Sequence, residues 1–368
     1  MSAVRGPVAF LFLGETLLIP HLWPVVEALA RPGDVAVELW VATSVHEALL
    51  ARLSAGLPHV RIRRAPGYRA LDLADGTNPP LPAKLPMLAR LAPRLWRTPV
   101  AVCAEQTSLW IPRALPFHPT RFVKTSHGVG SMSARDDPRR RAAWRLLVPS
   151  ERERATYLDR GFAPDRVIAT GYVKASFAAE RTVPVFPDPR PVVLYTPHWQ
   201  RHRSSWWDWG PKVARAVADD GRWNLIFAPH QRLAEKAGDL RTVAAELAQR
   251  PNVHVDLDSF AMVDGSYTAA ADLYLGDTSS QVIEFLANPR PCVFLNPGRV
   301  AWAQDPSYAQ WACGEVVDDL AGLLPALDRA PAAHPAYAET QRHFAQDSLG
   351  DTCDGAPDRV AAVIRAAL

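Results

Sequence analysis

Residues 8–13 read Val-Ala-Phe-Leu-Phe-Leu, a continuous apolar run of the kind found in strands covered on both faces. Similar runs recur at 35–42, 192–196, 223–228 and 292–295. A sheet with one wet face would alternate apolar and polar residues, so these runs confine the chain to parallel sheets with helices on both sides. Helical stretches fall between them, at 22–30 with Pro24 in a first turn, and at 45–55, 151–160 and 212–219. Further strands are expected at 60–64, 146–149 and 167–170, and the Pro-, Leu- and Arg-rich stretch 66–100 is expected to hold a loop and a helix over 84–95. The fold class is therefore α/β, with doubly wound parallel sheets whose ligand loops lie at the carboxyl ends of the strands.

A chain of 368 residues, 48% apolar and 21% charged, is long enough for more than one core. The prolines at 184, 187, 189 and 191 make residues 178–191 the best linker, because proline denies donors to a sheet and stiffens a connection. The expected division is 1–180 and 181–368, with the extreme C-terminal helix packing back on the first domain. A net charge of +3 from 41 basic and 38 acidic residues gives no argument for nucleic acid. Cys103, Cys292, Cys313 and Cys353 are widely spaced, which points to neither zinc nor a disulfide framework and suits a reducing cytoplasm. No apolar run approaches a membrane span, so a cytoplasmic protein, soluble or peripheral on the inner face of the plasma membrane, is expected.

Residues 271–295 form a strand, a hydroxyl-rich turn, a helix and a second strand. The turn is Gly276-Asp277-Thr278-Ser279-Ser280, and Asp277, Thr278 and Ser279 are all helix-capping types. One cap suffices, so the surplus hydroxyls point to a diphosphate at the helix start, with Asp277 or Thr278 as the plain cap otherwise. A second turn, Ser126-His127-Gly128-Val129-Gly130, follows a short strand. Its glycines admit a close ligand, and His127 is the candidate base; the alternative is a structural histidine.

Arg135, Arg139, Arg140 and Arg141 cluster near Trp144, and are read either as a solvated helix face or as a surface for an anionic membrane or phosphate-bearing acceptor. His198, His202 and His230 sit on loops at strand ends, yet no ligand spacing supports a metal site. Asp256 and Asp258 are read as a turn.

The His127-Gly128 loop, Leu194-Tyr195-Thr196-Pro197, Ala228-Pro229-His230 and the run from Gly276 to Leu286 together resemble the CDP-glycerol glycerophosphotransferase family, over roughly residues 120–300. The resemblance implies a GT-B fold, two Rossmann-like domains facing a cleft, with the acceptor on the first and the nucleotide donor on the second. It assigns His127 and His230 to catalysis. Asp277, Thr278, Ser279, Ser280, Glu284, Gly128, Thr196 and His198 fall at the donor, with Glu284 on the ribose. The sequence departs from that family at Ala228, where lysine is usual, at Gly276 and His198, and in the Val129–Met132 flank.

The expected activity is transfer of glycerol phosphate or a similar polyol phosphate from a CDP-activated donor to a hydroxyl of a surface-glycan or lipid-linked acceptor, with no metal and no cofactor. A GT-B glycosyltransferase using a nucleotide sugar, a nucleotide-sugar epimerase and a non-catalytic nucleotide- or glycan-binding protein are the alternatives.

Overall fold

The computed structural model describes residues 4–73, 77–129, 136–177, 183–350 and 355–368. It divides into two compact units, one of Met1–Ala179 with Asp347–Leu368 and one of Glu180–Gln346.

The first unit is built on strands β1 (Arg5–Phe12), β2 (Val35–Thr43), β3 (Val60–Arg69), β4 (Val100–Cys103), β5 (Arg121–Thr125), β6 (Arg145–Val148) and β7 (Val167–Ala169). Their order is β3-β2-β1-β4-β5-β6-β7, every pairing parallel, so the winding reverses between β1 and β4. The apolar run at 8–12 explains β1's place: a strand with helices on both faces has no wet side, and these residues are buried. β3 runs past Arg64 to Arg69 and alternates exposed with covered residues, as an edge strand does. Residues Thr16–His21 form a 3₁₀ helix before the helix Trp23–Ala30. The segment from Asp347 on belongs to this unit. Its helix Ala356–Arg365 packs on Trp23–Ala30, with Arg365 paired to Asp34 and donating to the Leu29 carbonyl at 3.2 Å.

The second unit holds β8 (Val192–Thr196), β9 (Asn224–Phe227), β10 (Val253–Val255), β11 (Leu273–Gly276), β12 (Cys292–Leu295) and β13 (Glu315–Val317). All pairings in the order β10-β9-β8-β11-β12-β13 are parallel, and the winding reverses between β8 and β11. Trp206, Phe227, Leu240 and Val213 pack one face of the sheet. The long helix Leu323–Leu349 is pinned from below by buried Gln341, which donates to the carbonyls of Arg290 at 2.9 Å and Cys313 at 2.7 Å.

Gly314, just before β13, lies against the Cys292 backbone at the start of β12. A methyl group there would lie 2.3 Å from the Cys292 carbonyl oxygen and 2.8 Å from its carbon, and neither backbone atom has room to yield. Gly314→Ala is therefore expected to destabilise the second unit by about 1–3 kcal/mol. Gly128→Ala, with nothing among the described residues within 4 Å of the new methyl, should unfold with the wild type. Urea unfolding followed by tryptophan fluorescence checks both.

Candidate active site

Three adjacent strands in the middle of the second sheet, β9, β8 and β11, end level with one another. Gly276 pairs with Thr196, the Ala228 N–H donates to the Tyr195 carbonyl at 3.2 Å, and the His230 N–H donates to the Pro197 carbonyl at 3.2 Å. Loops 197–205, 228–230 and 277–280 therefore start side by side at the reversal of the winding, where an open parallel sheet takes its ligands.

Asp277 holds two of these loops together. Its side chain is 1% exposed, and its Oδ2 accepts from the His198 N–H at 2.8 Å while both oxygens accept from the Ser205 N–H at 3.0 Å. Burial pushes its pKa up to about 7, against the donors from His198, Ser205 and Ser204 that favour the carboxylate. Thr278 donates to the Ser307 carbonyl at 2.7 Å and accepts from the Gln310 amide, and Thr196 donates to the Tyr274 hydroxyl at 2.9 Å. Asp277, Thr278 and Thr196 were expected at the donor; instead all three are buried, and their polar atoms are engaged in fixing loops and strands. The helix Ser280–Phe285 is capped by Ser279, whose hydroxyl accepts from the Gln281 N–H at 3.2 Å, because Asp277 and Thr278 are turned to other partners. Ser280 and Glu284 are half-buried on that helix.

The two histidines have fixed tautomers. His198 Nδ1 accepts from the Gln200 N–H at 3.1 Å, and His230 Nδ1 accepts from the Arg232 N–H at 3.2 Å, capping the helix Gln231–Lys236. A nitrogen that accepts carries no proton, so the proton of each neutral ring is on Nε2. Burial first, then His230, Arg203 and His202, brings the His198 pKa down to about 3. Burial and Arg232 bring that of His230 down to about 4. The ring centroids lie 5.8 Å apart, and Trp199 packs beside both at 5.9 and 6.2 Å with Lys236 4.2 Å from its own centroid. Among the described residues neither Nε2 has a hydrogen-bond partner, and the buried amide of Gln231 lacks one on both its oxygen and its nitrogen. Two neutral N–H donors in a neighbourhood carrying Arg203 and Arg232 suit an anion. Trp199 and Gln231 belong to no motif in the sequence and had no signal of their own.

In the first unit His127 follows β5 and is exposed, and among the described residues nothing lies within 4 Å of where a Gly128 Cβ would stand. Behind it lie groups that the sequence did not single out. His21 is buried against Tyr172, with ring centroids 5.7 Å apart, and burial, Lys174, His127 and Lys124 hold its pKa well below the ordinary value. Burial and Arg140 bring Lys124 down to about 8, and its Nζ donates to the Thr125 carbonyl at 2.5 Å. His21 Nδ1, Thr125 Oγ1, Gln106 Nε2 and Thr107 Oγ1 are buried without partners among the described residues. Lys84 ties the ends of β1 and β4, donating to the Leu13 carbonyl at 2.5 Å and pairing with Glu105 at 2.9 Å.

The arginine run corrects its own expectation. Arg135 lies outside the described residues. The others occupy a 3₁₀ turn, Pro138–Ala142, where Arg139 pairs with Asp137 at 2.5 Å and Arg140 is buried with its guanidinium 5.5 Å from the Tyr157 ring centre. Arg141 is exposed and donates to the Arg160 carbonyl at 2.8 Å. They form no common cationic face. Asp256 makes the expected turn, accepting from the N–H groups of Asp258 at 3.1 Å and Ser259 at 2.9 Å. Among the described residues no three His, Cys, Asp or Glu side chains are grouped to hold a metal ion, and no helix is long and apolar enough to cross a membrane.

No protein-family model matches this chain, and neither does any curated protein sequence. Solved structures do match along almost the whole length. The UDP-GlcNAc 2-epimerase of Neisseria meningitidis bound to UDP-GlcNAc superimposes with a TM-score of 0.62 at 11% identity, over 98% of this chain and 100% of that one. Sucrose-phosphate synthase of Thermosynechococcus elongatus gives 0.55 at 18%, over 98% and 99%. Anabaena HepE, in complex with UDP and glucose, gives 0.56 at 14%, over 98% and 100%. Identities this low show the fold, which is the GT-B arrangement of two Rossmann-like parallel-sheet units.

The raised pKa of Asp277 has a testable sign. The folded protein holds the proton up to about pH 7, whereas the unfolded chain releases it near the ordinary value of 3.8. Stability from this group is therefore full at acid pH and is lost as the pH climbs through that window. Asp277→Asn, which does not titrate, should gain on the wild type in unfolding free energy between pH 4 and pH 7. A constant difference across parallel urea titrations would show that the carboxyl is ionised throughout.

Proposed function

We propose that this protein is a GT-B enzyme that takes a nucleoside-diphosphate sugar as donor and passes the sugar to a hydroxyl of a glycan or lipid-linked acceptor. The observation that carries the proposal is the pair of neutral imidazoles, His198 and His230, each with its proton on Nε2, on adjacent loops at the reversal of the second sheet. The crystal structures of similar fold that contain UDP or UDP-GlcNAc favour a sugar over the polyol phosphate suggested by the motifs.

In this reaction the acceptor oxygen bonds to the anomeric carbon, the bond from that carbon to the β-phosphate oxygen breaks, and the nucleoside diphosphate leaves with added negative charge. His198 and His230 donate to that charge as it develops, with Arg203 and Arg232 supplying the surrounding field. Ser280 hydrogen-bonds a phosphate oxygen, and Glu284 accepts from the ribose hydroxyls. In the first unit His127 receives the acceptor's proton, its exposure leaving room for that substrate.

Incubation with UDP-sugars, with CDP-glycerol, and with and without acceptors separates the outcomes. Release of UDP that depends on an acceptor supports the proposal. CMP would indicate polyol-phosphate transfer, an epimerised sugar nucleotide without acceptor would indicate an epimerase, and binding without turnover would indicate a non-catalytic protein. His198→Ala and His230→Ala are each expected to weaken the nucleoside diphosphate about tenfold to a hundredfold, the loss of one hydrogen bond to a charged group. Ser280→Ala should weaken it without loss of stability, whereas Ser279→Ala should cost about 1 kcal/mol of stability as a lost cap. His127→Ala should slow turnover by about 10²- to 10⁴-fold with donor affinity preserved. Calorimetry and steady-state kinetics read these changes.

A further inference from the structure

At the other end of the first sheet from His127, the amino ends of β5, β6 and β7 border a pocket of about 510 Å³. Its charged lining is Arg113, Arg121, Arg141 and Arg166, with no aspartate or glutamate among the lining residues. Several arginines elsewhere on the surface are matched to carboxylates, as in Arg63 with Glu38, Arg64 with Glu47 and Arg215 with Glu246. Here they are not. Arg121 donates to the Ala367 carbonyl at 3.1 Å, Arg141 to that of Arg160 at 2.8 Å and Arg166 to that of Ala143, while Arg113 lies 5.7 Å from the ring centre of Trp110. Carbonyl oxygens and ring faces orient a guanidinium but leave its full charge, so among the described residues all four charges remain uncompensated.

Exposed aromatic rings stand beside this pocket. His118 lines it and packs against Trp96 with ring centroids 4.9 Å apart, and Trp96 stands 6.3 Å from Phe117. Phe117 is 70% exposed and Trp96 47% exposed. A soluble anion would use the arginines and leave these rings in water. A ligand that joins a phosphate to an alkyl chain uses both, because aromatic side chains beside cations are the pattern of an interface where one side is wet and the other oily.

We propose that this pocket binds the phosphate headgroup of an anionic lipid, with Phe117 and Trp96 entering the acyl region beside it. The site shares no residue with the donor loops and stands independently of the proposed activity.

The test is sedimentation of the full-length protein with vesicles of phosphatidylcholine containing phosphatidic acid, against phosphatidylcholine alone. The wild type should sediment with the acidic vesicles only, and should leave them as salt rises, exposed charges being screened over about 10 Å at 0.1 M. Arg113→Gln/Arg121→Gln should bind about thirtyfold more weakly, each basic residue at such a surface contributing about a factor of five. Both side chains are exposed, and unchanged melting confirms that the fold is intact. Phe117→Ser, which leaves the charge alone, should also bind more weakly. Failure of the wild type to bind acidic vesicles at low salt overturns the proposal, as does full binding by the double variant. Binding of glycerol 3-phosphate as tight as that of the vesicles, with Phe117→Ser indifferent, would make the ligand a soluble phosphate and overturn the lipid assignment.

Discussion

The carboxyl group of Asp277 joins parts of the second unit that the backbone ladder leaves apart. β8 and β11 are neighbours through their hydrogen bonds, but the loops beyond them have no ladder to hold them. Asp277 accepts from the N–H groups of His198 and Ser205, at the two ends of a loop, and so draws that loop down onto the turn after β11. His198 and Trp199 stand on the loop so held, and the His198 ring is oriented by the Gln200 N–H at its Nδ1. A buried carboxyl is costly to leave unmatched, and converging backbone donors offset that cost while fixing the geometry of the loop.

Neutral imidazoles have a different use from cations in such a place. A lysine or arginine attracts a diphosphate from a distance and holds substrate and product alike. An imidazole N–H held by a hydrogen bond at its other nitrogen offers direction with little long-range attraction, and strengthens as the acceptor oxygen gains charge. Within the proposed donor site His198 and His230 are such rings, each held at Nδ1 by a backbone N–H.

The strand-turn-helix-strand unit at 273–295 was legible in the sequence, since fully apolar strands and a hydroxyl-rich turn are local signals; β12 spans Cys292–Leu295 as expected. The helix Lys84–Leu95 lies where one was expected within the Pro-, Leu- and Arg-rich stretch. The role of Asp277 was not legible. Its capping chemistry is visible locally, but its partner Ser205 is 72 residues away, and only the fold decides between a cap and a distant loop. Ser279 takes the cap as a result. The arginines at 139–141 failed for the opposite reason: like charges close in sequence suggested one face, whereas a 3₁₀ turn sends successive side chains to different partners. His21 stands in no motif of the sequence, and it is buried against Tyr172 far along the chain.

The return of Asp347–Leu368 to the first unit bears on how the chain assembles during synthesis. The helix Trp23–Ala30 emerges from the ribosome before the second unit, yet the helix that covers it, Ala356–Arg365, emerges only after the whole of that unit. The intervening second unit is continuous in sequence and can complete its own core while the first still exposes an apolar flank. Vectorial synthesis thus makes the N-terminal unit the later of the two to be finished, and leaves the face of Trp23–Ala30 that Ala356–Arg365 covers as the surface a chaperone would meet in the interval.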